Sequence, residues 1–203
     1  MKAIVVCEYS GIVRESLKKR GWEAWSCDLL DTEIPGNHYK GDARDVLNDG
    51  WDLMIAHPPC TYMANSGVQH LHRSIERWIS MFEDAKLFSK LFNAPITYKA
   101  LENPIMHKYA KQLIGCGDPS QIIQPWQFGH GETKATCLWL KNLPKLKPTK
   151  IVDGREQRIW KMPPTKDPEE RRKARSKTYA GIAEAMADQW TKYIKEQVLC
   201  KTS

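Results

Sequence analysis

The stretch KAIVVCEYSGIVRESLKKRG, residues 2–21, predicts a strand, a tight turn and a helix in that order. Its first six residues are mostly apolar, as in a buried strand, and its last ten show helical spacing of apolar residues with charges between them. Tyr9, Ser10 and Gly11 form the turn. A strand that enters a helix through such a turn is typical of a parallel α/β fold.

The same alternation continues along the chain. Further apolar runs predict strands at 23–27, 51–56, 98–101 and 136–140, and amphipathic stretches predict helices at 71–92, 104–114 and 182–198. In the first of these helices, one apolar face is expected in the core: Leu71, Ile75, Trp78, Phe82, Ala85, Phe88 and Phe92. The sequence therefore predicts an α/β fold with a mostly parallel sheet and helices on both faces.

Chemically distinctive residues follow directly after four of the predicted strands. They are the Tyr9-Ser10-Gly11 turn, Asp28, Cys60 behind Pro58 and Pro59, and Glu102 with Asn103. In a parallel sheet the loops at the carboxyl ends of the strands meet at one edge, where ligands bind. We therefore expect a single site at this edge.

The first two loops suit a nucleoside-type ligand. A glycine turn before a helix directs amide N–H groups at a ligand, and Asp28 is placed to accept hydrogen bonds from ribose hydroxyls. Asp42 is a candidate for binding the exocyclic amine of the ligand's base. A simple turn at Gly11, a surface or helix-capping role for Asp28 and a turn-capping role for Asp42 are the structural alternatives.

The other two loops suit covalent chemistry. Pro58 and Pro59 restrict the backbone before Cys60, so the thiol has little conformational freedom, as a positioned nucleophile requires. A carboxylate at Glu102, which ends an apolar strand, is costly unless it is paired or functional. A buried structural cysteine and a helix-capping Glu102 are the alternatives.

These motifs resemble those of the C5-cytosine-specific DNA methyltransferases, which use S-adenosylmethionine. The resemblance rests on CEYSGI (7–12), Asp28, IAHPPC (55–60), LENP (101–104) and RSKTYAGI (175–182), in the family's order and approximate spacing. The chain resembles in particular short phage and prophage proteins of this type that lack a separate target-recognition domain.

The resemblance implies a Rossmann-like class I methyltransferase fold. It implies S-adenosylmethionine bound by Tyr9, Ser10, Gly11, Asp28, Asp42 and Pro59. It further implies that the Cys60 thiolate adds to C6 of cytosine while Glu102 binds N3 and the exocyclic amine, so that C5 takes the methyl group. Asn103 and Lys134 are expected to contact the substrate, and a base in a duplex must be flipped out.

A basic segment, residues 141–177, carries thirteen Lys and Arg against five Asp and Glu, whereas the rest of the chain is close to neutral. Its five prolines and weak helical periodicity predict an extended excursion from a single domain spanning 1–203. We expect it to bind nucleic acid, DNA foremost, through Arg171, Arg172 and Arg175, with Trp160 available for stacking. A solvated charged loop is the alternative.

The composition excludes several classes of protein. The chain has 203 residues, of which 41% are hydrophobic and 27% charged, as in one folded globular domain. No apolar run approaches the roughly 20 residues that span a membrane, and no signal peptide is evident. Six cysteines without a CxxC pair suit reduced thiols in a cytoplasmic protein, and we expect neither disulfides nor a bound metal.

Two other functions stay open at this stage. An amine-directed methyltransferase usually has Asp or Asn before the paired prolines and an aromatic residue after them, where this chain has His57 and Cys60. A non-catalytic binding protein would keep the pocket and the basic segment without needing Cys60.

Overall fold

The computed structural model describes residues 1–163 and 167–202. The strands are β1 (Lys2–Val6), β2 (Glu23–Asp28), β3 (His38–Lys40), β4 (Leu53–Ala56), β5 (Tyr98–Pro104), β6 (Gln121–Ile123) and β7 (Thr136–Lys141). The helices are α1 (Ile12–Lys18), α2 (Ile75–Phe92), α3 (Lys108–Ile114), α4 (Arg158–Lys161), α5 (Pro168–Ser176) and α6 (Ala180–Thr202). In this part of the chain no helix is both long and apolar enough to cross a membrane.

All seven strands belong to one sheet, in the order β3-β2-β1-β4-β5-β7-β6. The first five pair in parallel, and β7 runs antiparallel to both β5 and β6. This architecture confirms the predicted α/β fold with a mostly parallel sheet. The sequence did not predict β3 and β6, which have three residues each and lie at the two edges, where a strand needs little apolar character.

Helices cover both faces of the sheet. Alternate residues of a strand point to opposite faces, so Ile4 and Val6 pack in one core with α2 and α3, whereas Ala3 and Val5 pack in the other with α1 and α6. The central strand β4 is fully buried along its length. This explains its continuous apolar sequence, since both sides of it must face a helix layer.

The predicted core face of the long helix is partly wrong. α2 begins at Ile75, not at 71, and Ile75 and Phe82 are 66% and 53% exposed. The side chains buried against the sheet are Met81, Ala85, Phe88 and Leu91. Apolar residues occur over much of the circumference of α2, so its periodicity does not select one stripe. Packing against the sheet and α3 decides which side chains of α2 are buried.

The boundary between β5 and α3 also differs from the prediction, and α6 is longer than predicted at both ends. β5 continues through Pro104, and α3 begins only at Lys108, because antiparallel pairing with β7 extends the ladder to the pair Pro104 and Thr136. The basic segment also contains α4 and α5, although its sequence shows little helical periodicity. α5 is rich in Glu, Arg, Lys and Ala, which favour helix.

The first half of the basic segment, residues 141–157, is tied to the rest of the chain. Its backbone runs beside residues 126–133, with hydrogen bonds from the Gly129 amide to the Lys150 carbonyl (2.8 Å) and from the Glu156 amide to the Gly131 carbonyl (2.9 Å). Leu146 is only 2% exposed and packs in the core beside α6. This half is therefore packed against the sheet domain.

Candidate functional site

The point where neighbouring loops turn to opposite faces of the sheet lies between β1 and β4. The chain leaves β1 through α1 on one face and leaves β4 through α2 on the other, so these neighbouring loops diverge. The His57 amide donates to the Val6 carbonyl at 3.0 Å and joins the two loops where they separate. We call this edge of the sheet the cleft. The loops and strand ends at it are residues 7–11, 28, 57–60 and 102–103, which the sequence placed at this edge.

The predicted glycine turn accommodates a buried arginine. Gly11 has a φ of 74°, and a Cβ there would lie 2.8 Å from a guanidinium nitrogen of Arg14. Arg14 is fully buried and donates to the Ser26 hydroxyl (2.9 Å) and the Ile34 carbonyl (2.5 Å). It thereby ties α1 to the loop after β2. Sequence reasoning missed this role, although a charged residue among the apolar positions of α1 was its signal.

A buried carboxylate, Glu8, caps α1 from inside the protein. Glu8 is 4% exposed and accepts hydrogen bonds from the amides of Val13 (2.7 Å) and Arg14 (3.3 Å). Burial raises the pKa of Glu8, and the charge of His57 and these two amides oppose that rise. Those amides are therefore not free for a ligand. Ser10 is predicted to bind the cofactor. In the structure its hydroxyl accepts a hydrogen bond from the Ile12 amide at 3.3 Å.

The two candidate ligand-binding aspartates already have partners. Asp28 ends β2, and its side chain accepts a hydrogen bond from the Leu30 amide at 3.0 Å. Asp42 caps a 3₁₀ helix and pairs with Arg44, whose hydrogen bonds lower the pKa of Asp42 to about 2. The turn-capping alternative for Asp42 thus describes its contacts in the structure. Its proposed contact with a ligand stays a prediction.

The Pro-Pro-Cys loop is fixed by a side chain from the neighbouring strand. Asn103 is 1% exposed and donates from its amide nitrogen to the Pro58 carbonyl at 2.9 Å. The Cys60 carbonyl accepts from the amides of Met63 and Ala64, which closes the turn. Pro59 is exposed and Cys60 is half-buried. Asn103, expected to bind substrate, therefore also sets the path of the loop that carries the thiol.

The thiol and the carboxylate have opposite resting protonation. Burial raises the pKa of Cys60, and the negative charge of Glu102 adds to this, while Lys134 and Arg175 oppose it. For Glu102, burial alone would raise the pKa, but the hydrogen bond and charge of His57, together with Lys134, lower it on balance. At neutral pH the cleft therefore holds a protonated thiol and an ionised carboxylate. The charges of Glu102, Lys134 and Arg175 therefore all act on the Cys60 thiol.

The C-terminal end of α5 contacts the cleft. The Tyr9 hydroxyl donates to the Lys173 carbonyl at 2.8 Å, and the Lys134 ammonium donates to the Arg175 carbonyl at 3.1 Å. Lys177 pairs with Glu33 at 2.7 Å. A cation and a hydroxyl at the last carbonyls of a helix satisfy acceptors that the helix itself leaves free. The basic segment thus meets the turn after β1.

The remaining basic candidates differ in their surroundings. Arg171 donates to the carbonyls of Met162 (2.9 Å) and Pro163 (3.1 Å), so its guanidinium holds the two residues that follow α4. The side chains of Arg172 and Trp160 lie outside the described part of the structure.

Sequence reasoning missed a cluster that holds the start of α6. Glu132 is buried and accepts from Arg158 (2.5 Å) and from the Tyr179 hydroxyl (2.6 Å). The Gly181 amide donates to Nε2 of His130 at 3.0 Å. These contacts hold Tyr179 and Gly181, within the stretch RSKTYAGI (175–182), and the centroid of the Tyr179 ring lies 5.8 Å from the Lys134 ammonium.

A second missed residue is Asp84 on α2. Its Oδ2 is buried and has no hydrogen-bond partner among the described residues, and burial raises the pKa of Asp84 to about 7. Its charge also raises the pKa of both Cys7 and Cys60. The charge of Asp84, on α2, is thus felt at both thiols as a rise in their pKa. One indication of this role was available in the sequence, since Asp84 directly precedes Ala85, a predicted core position of the helix.

The cleft residues fit S-adenosylmethionine in charge. Burial raises the pKa of Cys7, and the negative charges of Asp28, Asp42 and Asp84 add to that rise, so this end of the cleft is acidic. S-adenosylmethionine carries a sulfonium and an ammonium cation, which such a surrounding favours. The unpartnered Oδ2 of Asp84 is a further acceptor for a donor in the cleft.

Among the described residues, no group of three or more His, Cys, Asp or Glu side chains is arranged to hold a metal ion. All six cysteines are free thiols.

The comparisons with known proteins agree with the fold. A protein of Escherichia coli, assigned as a DNA modification methyltransferase encoded within a prophage, matches with a TM-score of 0.50 and 14% identity over 75% of this chain and 52% of that one. The methyltransferase EhMeth of Entamoeba histolytica matches with a TM-score of 0.49 and 15% identity over 75% and 57%. This chain thus spans little more than half of either structure.

No protein-family model and no curated protein matches the chain. At 14% identity the first structural likeness shows the fold alone. The chain therefore has an α/β fold similar to that of a methyltransferase structure, with a seven-stranded, mostly parallel sheet.

The buried Asp84 predicts a specific pH dependence of stability. Because burial raises its pKa from 3.8 to about 7, the folded state binds a proton more tightly than the unfolded state, and the resulting stabilisation is lost as the pH rises from about 4 through 7. Asp84→Asn removes this loss. After discounting for partial solvation we expect a gain of about 1–2 kcal/mol at pH 8, or roughly 2–8 °C in Tm, and little gain at pH 4.

Thermal melting of the ligand-free protein at both pH values tests this. Glu83→Gln, an exposed neighbour on the same helix, is the matched control. An equal Tm shift at pH 4 and pH 8 for Asp84→Asn would contradict the burial of its carboxylate.

Proposed function

We propose that this protein is an S-adenosylmethionine-dependent methyltransferase that acts on C5 of cytosine in nucleic acid, and in DNA in the first place. The observation that carries the proposal is the placement of the Cys60 thiol. It lies at the switch point of a methyltransferase-like sheet, on a loop held by Asn103, within the electrostatic reach of Glu102 and Lys134. A thiol beside a carboxylate and a cation suits covalent addition to a base.

The cofactor is assigned to the acidic side of the cleft. The residues that would hold it are Tyr9, Ser10, Gly11, Asp28, Asp42 and Pro59. When bound, S-adenosylmethionine supplies an electrophilic methyl group. The role of this chain is to hold that group near the thiol loop and to exclude water. The contact of the Tyr9 hydroxyl with α5 closes the cleft on this side.

The chemistry on the base is assigned to Cys60 and Glu102. Cytosine C5 is a poor nucleophile, and addition of the Cys60 sulfur to C6 turns C5 into an enamine carbon. Glu102 stabilises this species by binding N3, where a proton is gained as the sulfur adds. Once C5 has taken the methyl group that the cofactor would supply, loss of the C5 proton with elimination of Cys60 and return of the N3 proton to Glu102 would give the methylated base. A target in a duplex would have to leave the stack to reach the thiol.

The basic segment is assigned to the substrate backbone. Lys134 and α5 bring positive charge to the edge of the cleft, where the charges of Lys134 and Arg175 act on Cys60. Phosphate contacts hold a strand in place but carry little sequence information. The similarity to the prophage structure, assigned as a DNA modification methyltransferase, supports nucleic acid as the substrate.

The assignment of Asp28 predicts its effect on ligand affinity. Calorimetry with S-adenosylhomocysteine, the demethylated product, should show binding to the wild type and about 10- to 100-fold weaker binding to Asp28→Ala, because charged hydrogen bonds to the ribose are lost. Asp31→Ala is the matched control, since Asp31 is exposed and pairs only with Lys40 among the described residues. Equal affinity of the wild type and Asp28→Ala would refute the assignment.

The assignment of Cys60 predicts a covalent trap. A single-stranded oligonucleotide containing 5-fluorocytosine, with S-adenosylmethionine, should give an adduct stable to denaturation, because fluorine cannot leave C5 as a proton does. Mass spectrometry should find the adduct with the wild type and with Cys116→Ser, a half-buried control, but not with Cys60→Ser. If the wild type binds the oligonucleotide and forms no adduct, the non-catalytic or amine-directed function is favoured.

The assignment of the basic segment predicts salt-dependent, sequence-tolerant binding. If about four to six phosphates are neutralised, log Kd against log salt should have a slope of magnitude about 3 to 5. Replacing Arg172, Lys173 and Arg175 with Gln should reduce that slope by about 2 to 3 and weaken different sequences alike.

The double variant Lys192→Gln/Lys195→Gln, on an exposed face of α6, is the matched control. An affinity independent of salt would indicate a solvated charged segment and a substrate no larger than a nucleotide.

A further inference from the structure

His57 occupies the point where the loops after β1 and β4 separate. Its backbone amide is bound to Val6, and its side chain is only 9% exposed. The ring nitrogen Nδ1 lies 3.2 Å from Oε2 of Glu102, at the end of the neighbouring strand β5. The imidazole is therefore placed between the backbone of the sheet edge and the carboxylate assigned to the base.

The direction of this hydrogen bond follows from the state of Glu102. The carboxylate is ionised because the hydrogen bond and charge of His57, together with Lys134, outweigh the effect of burial on its pKa. An ionised carboxylate only accepts hydrogen bonds, so Nδ1 must carry the hydrogen and donate it. His57 thus binds one carboxylate oxygen, Oε2, and leaves Oε1 for a different partner.

We propose that His57 is a positioning residue for Glu102: its Nδ1–H fixes Oε2, so that Oε1 takes the proton of the Cys60 thiol and delivers it to N3 of the base. The identity of the base rests on the function proposed above. The positioning of the carboxylate itself rests only on the geometry of His57 and Glu102.

The proton and electron balance closes with groups already present in the cleft. The S–H bond of Cys60 breaks and its proton moves to Glu102. The sulfur forms a bond to C6, the C5=C6 electron pair moves to C4–C5, and the C4=N3 pair moves to N3. N3 then takes the proton from Glu102, which returns to a carboxylate. The protonated thiol and ionised carboxylate of the resting cleft are the starting state that this step needs.

Other charged groups face this pair from each neighbouring element. Lys134, before β7, also lowers the pKa of Glu102, whereas Cys60 and Cys137 are thiols whose pKa the charge of Glu102 raises. Glu8 follows β1, and the charge of His57 acts to lower the pKa of Glu8. Loss of His57 should therefore raise the pKa of Glu102, while Lys134 should still act to lower it.

The first test measures Glu102 directly and needs no enzymatic activity. In protein labelled with ¹³C at the glutamate carboxyls, Glu102→Gln identifies the signal of Glu102. The titration midpoint of that signal should be higher in His57→Leu than in the wild type. In His57→Asn it should lie between the midpoints of the wild type and His57→Leu, because Asn keeps a donor near the place of Nδ1 but has no charge. His72→Leu, at an exposed histidine, should leave the midpoint unchanged.

An unchanged midpoint in His57→Leu would overturn the proposal. If the leucine variant does not fold, as judged by thermal melting, the midpoint in His57→Asn decides, since loss of the imidazole charge alone should raise it.

The second test measures the covalent step. The rate of adduct formation with the 5-fluorocytosine oligonucleotide should fall about 10- to 100-fold in His57→Leu at unchanged oligonucleotide affinity, because the carboxylate is no longer held in place. The acidic limb of the pH–rate profile should move to higher pH, and His57→Asn should recover most of the rate.

The two tests separate this inference from the proposed function. The inference would be overturned if the wild type forms the adduct and His57→Leu shows the same rate of adduct formation and the same pH–rate profile. If the wild type forms no adduct but the Glu102 midpoint rises in His57→Leu, the proposed function and the proton path are wrong, and the positioning of Glu102 by His57 is supported.

Discussion

The divergence of the chain at the ends of β1 and β4 is the constraint on which the candidate site depends. Neighbouring parallel strands normally send their loops in similar directions, but α1 and α2 pack on opposite faces of the sheet. The two loops must therefore part, and a cleft opens outside the strand ends. The hydrogen bond from His57 to Val6 marks the point where they part. The turn at residues 9–11 and the loop that carries His57 and Cys60 leave the sheet on either side of this point, and Glu102 lies on the strand next to β4.

Charge within the protein is the second organising feature. Glu8 and Arg14 are buried charges, and each is held by several specific partners, since an unpaired charge at such depth would be strongly unfavourable. Together they connect β1, α1 and the loop after β2. The same low polarity keeps the Cys60 thiol protonated, whereas His57 and Lys134 keep Glu102 ionised. The reactive state of the cleft is thus set by partners rather than by exposure.

The contact between α5 and the cleft places the end of the basic segment beside the candidate site. The Lys173 and Arg175 carbonyls, at the end of this helix, accept hydrogen bonds from Tyr9 and Lys134. A polyanion held by α5 would therefore lie next to the thiol loop. Phosphate contacts at α5 would hold a strand near the candidate site and would carry little sequence information.

The sequence by itself determined the class of fold, because alternating apolar strands and amphipathic helices leave few arrangements other than a parallel α/β sheet. It also placed Gly11, Asp28, Cys60 and Glu102 at strand ends, since the position of a residue after a strand is a local property. What only the tertiary structure decided are contacts between residues distant in sequence. They include the pairing of His57 with Glu102 and of Asn103 with the Pro58 carbonyl. The stripe of α2 that faces the sheet and the extension of β5 to Pro104 belong to the same class, because packing and strand pairing fix them and local pattern does not.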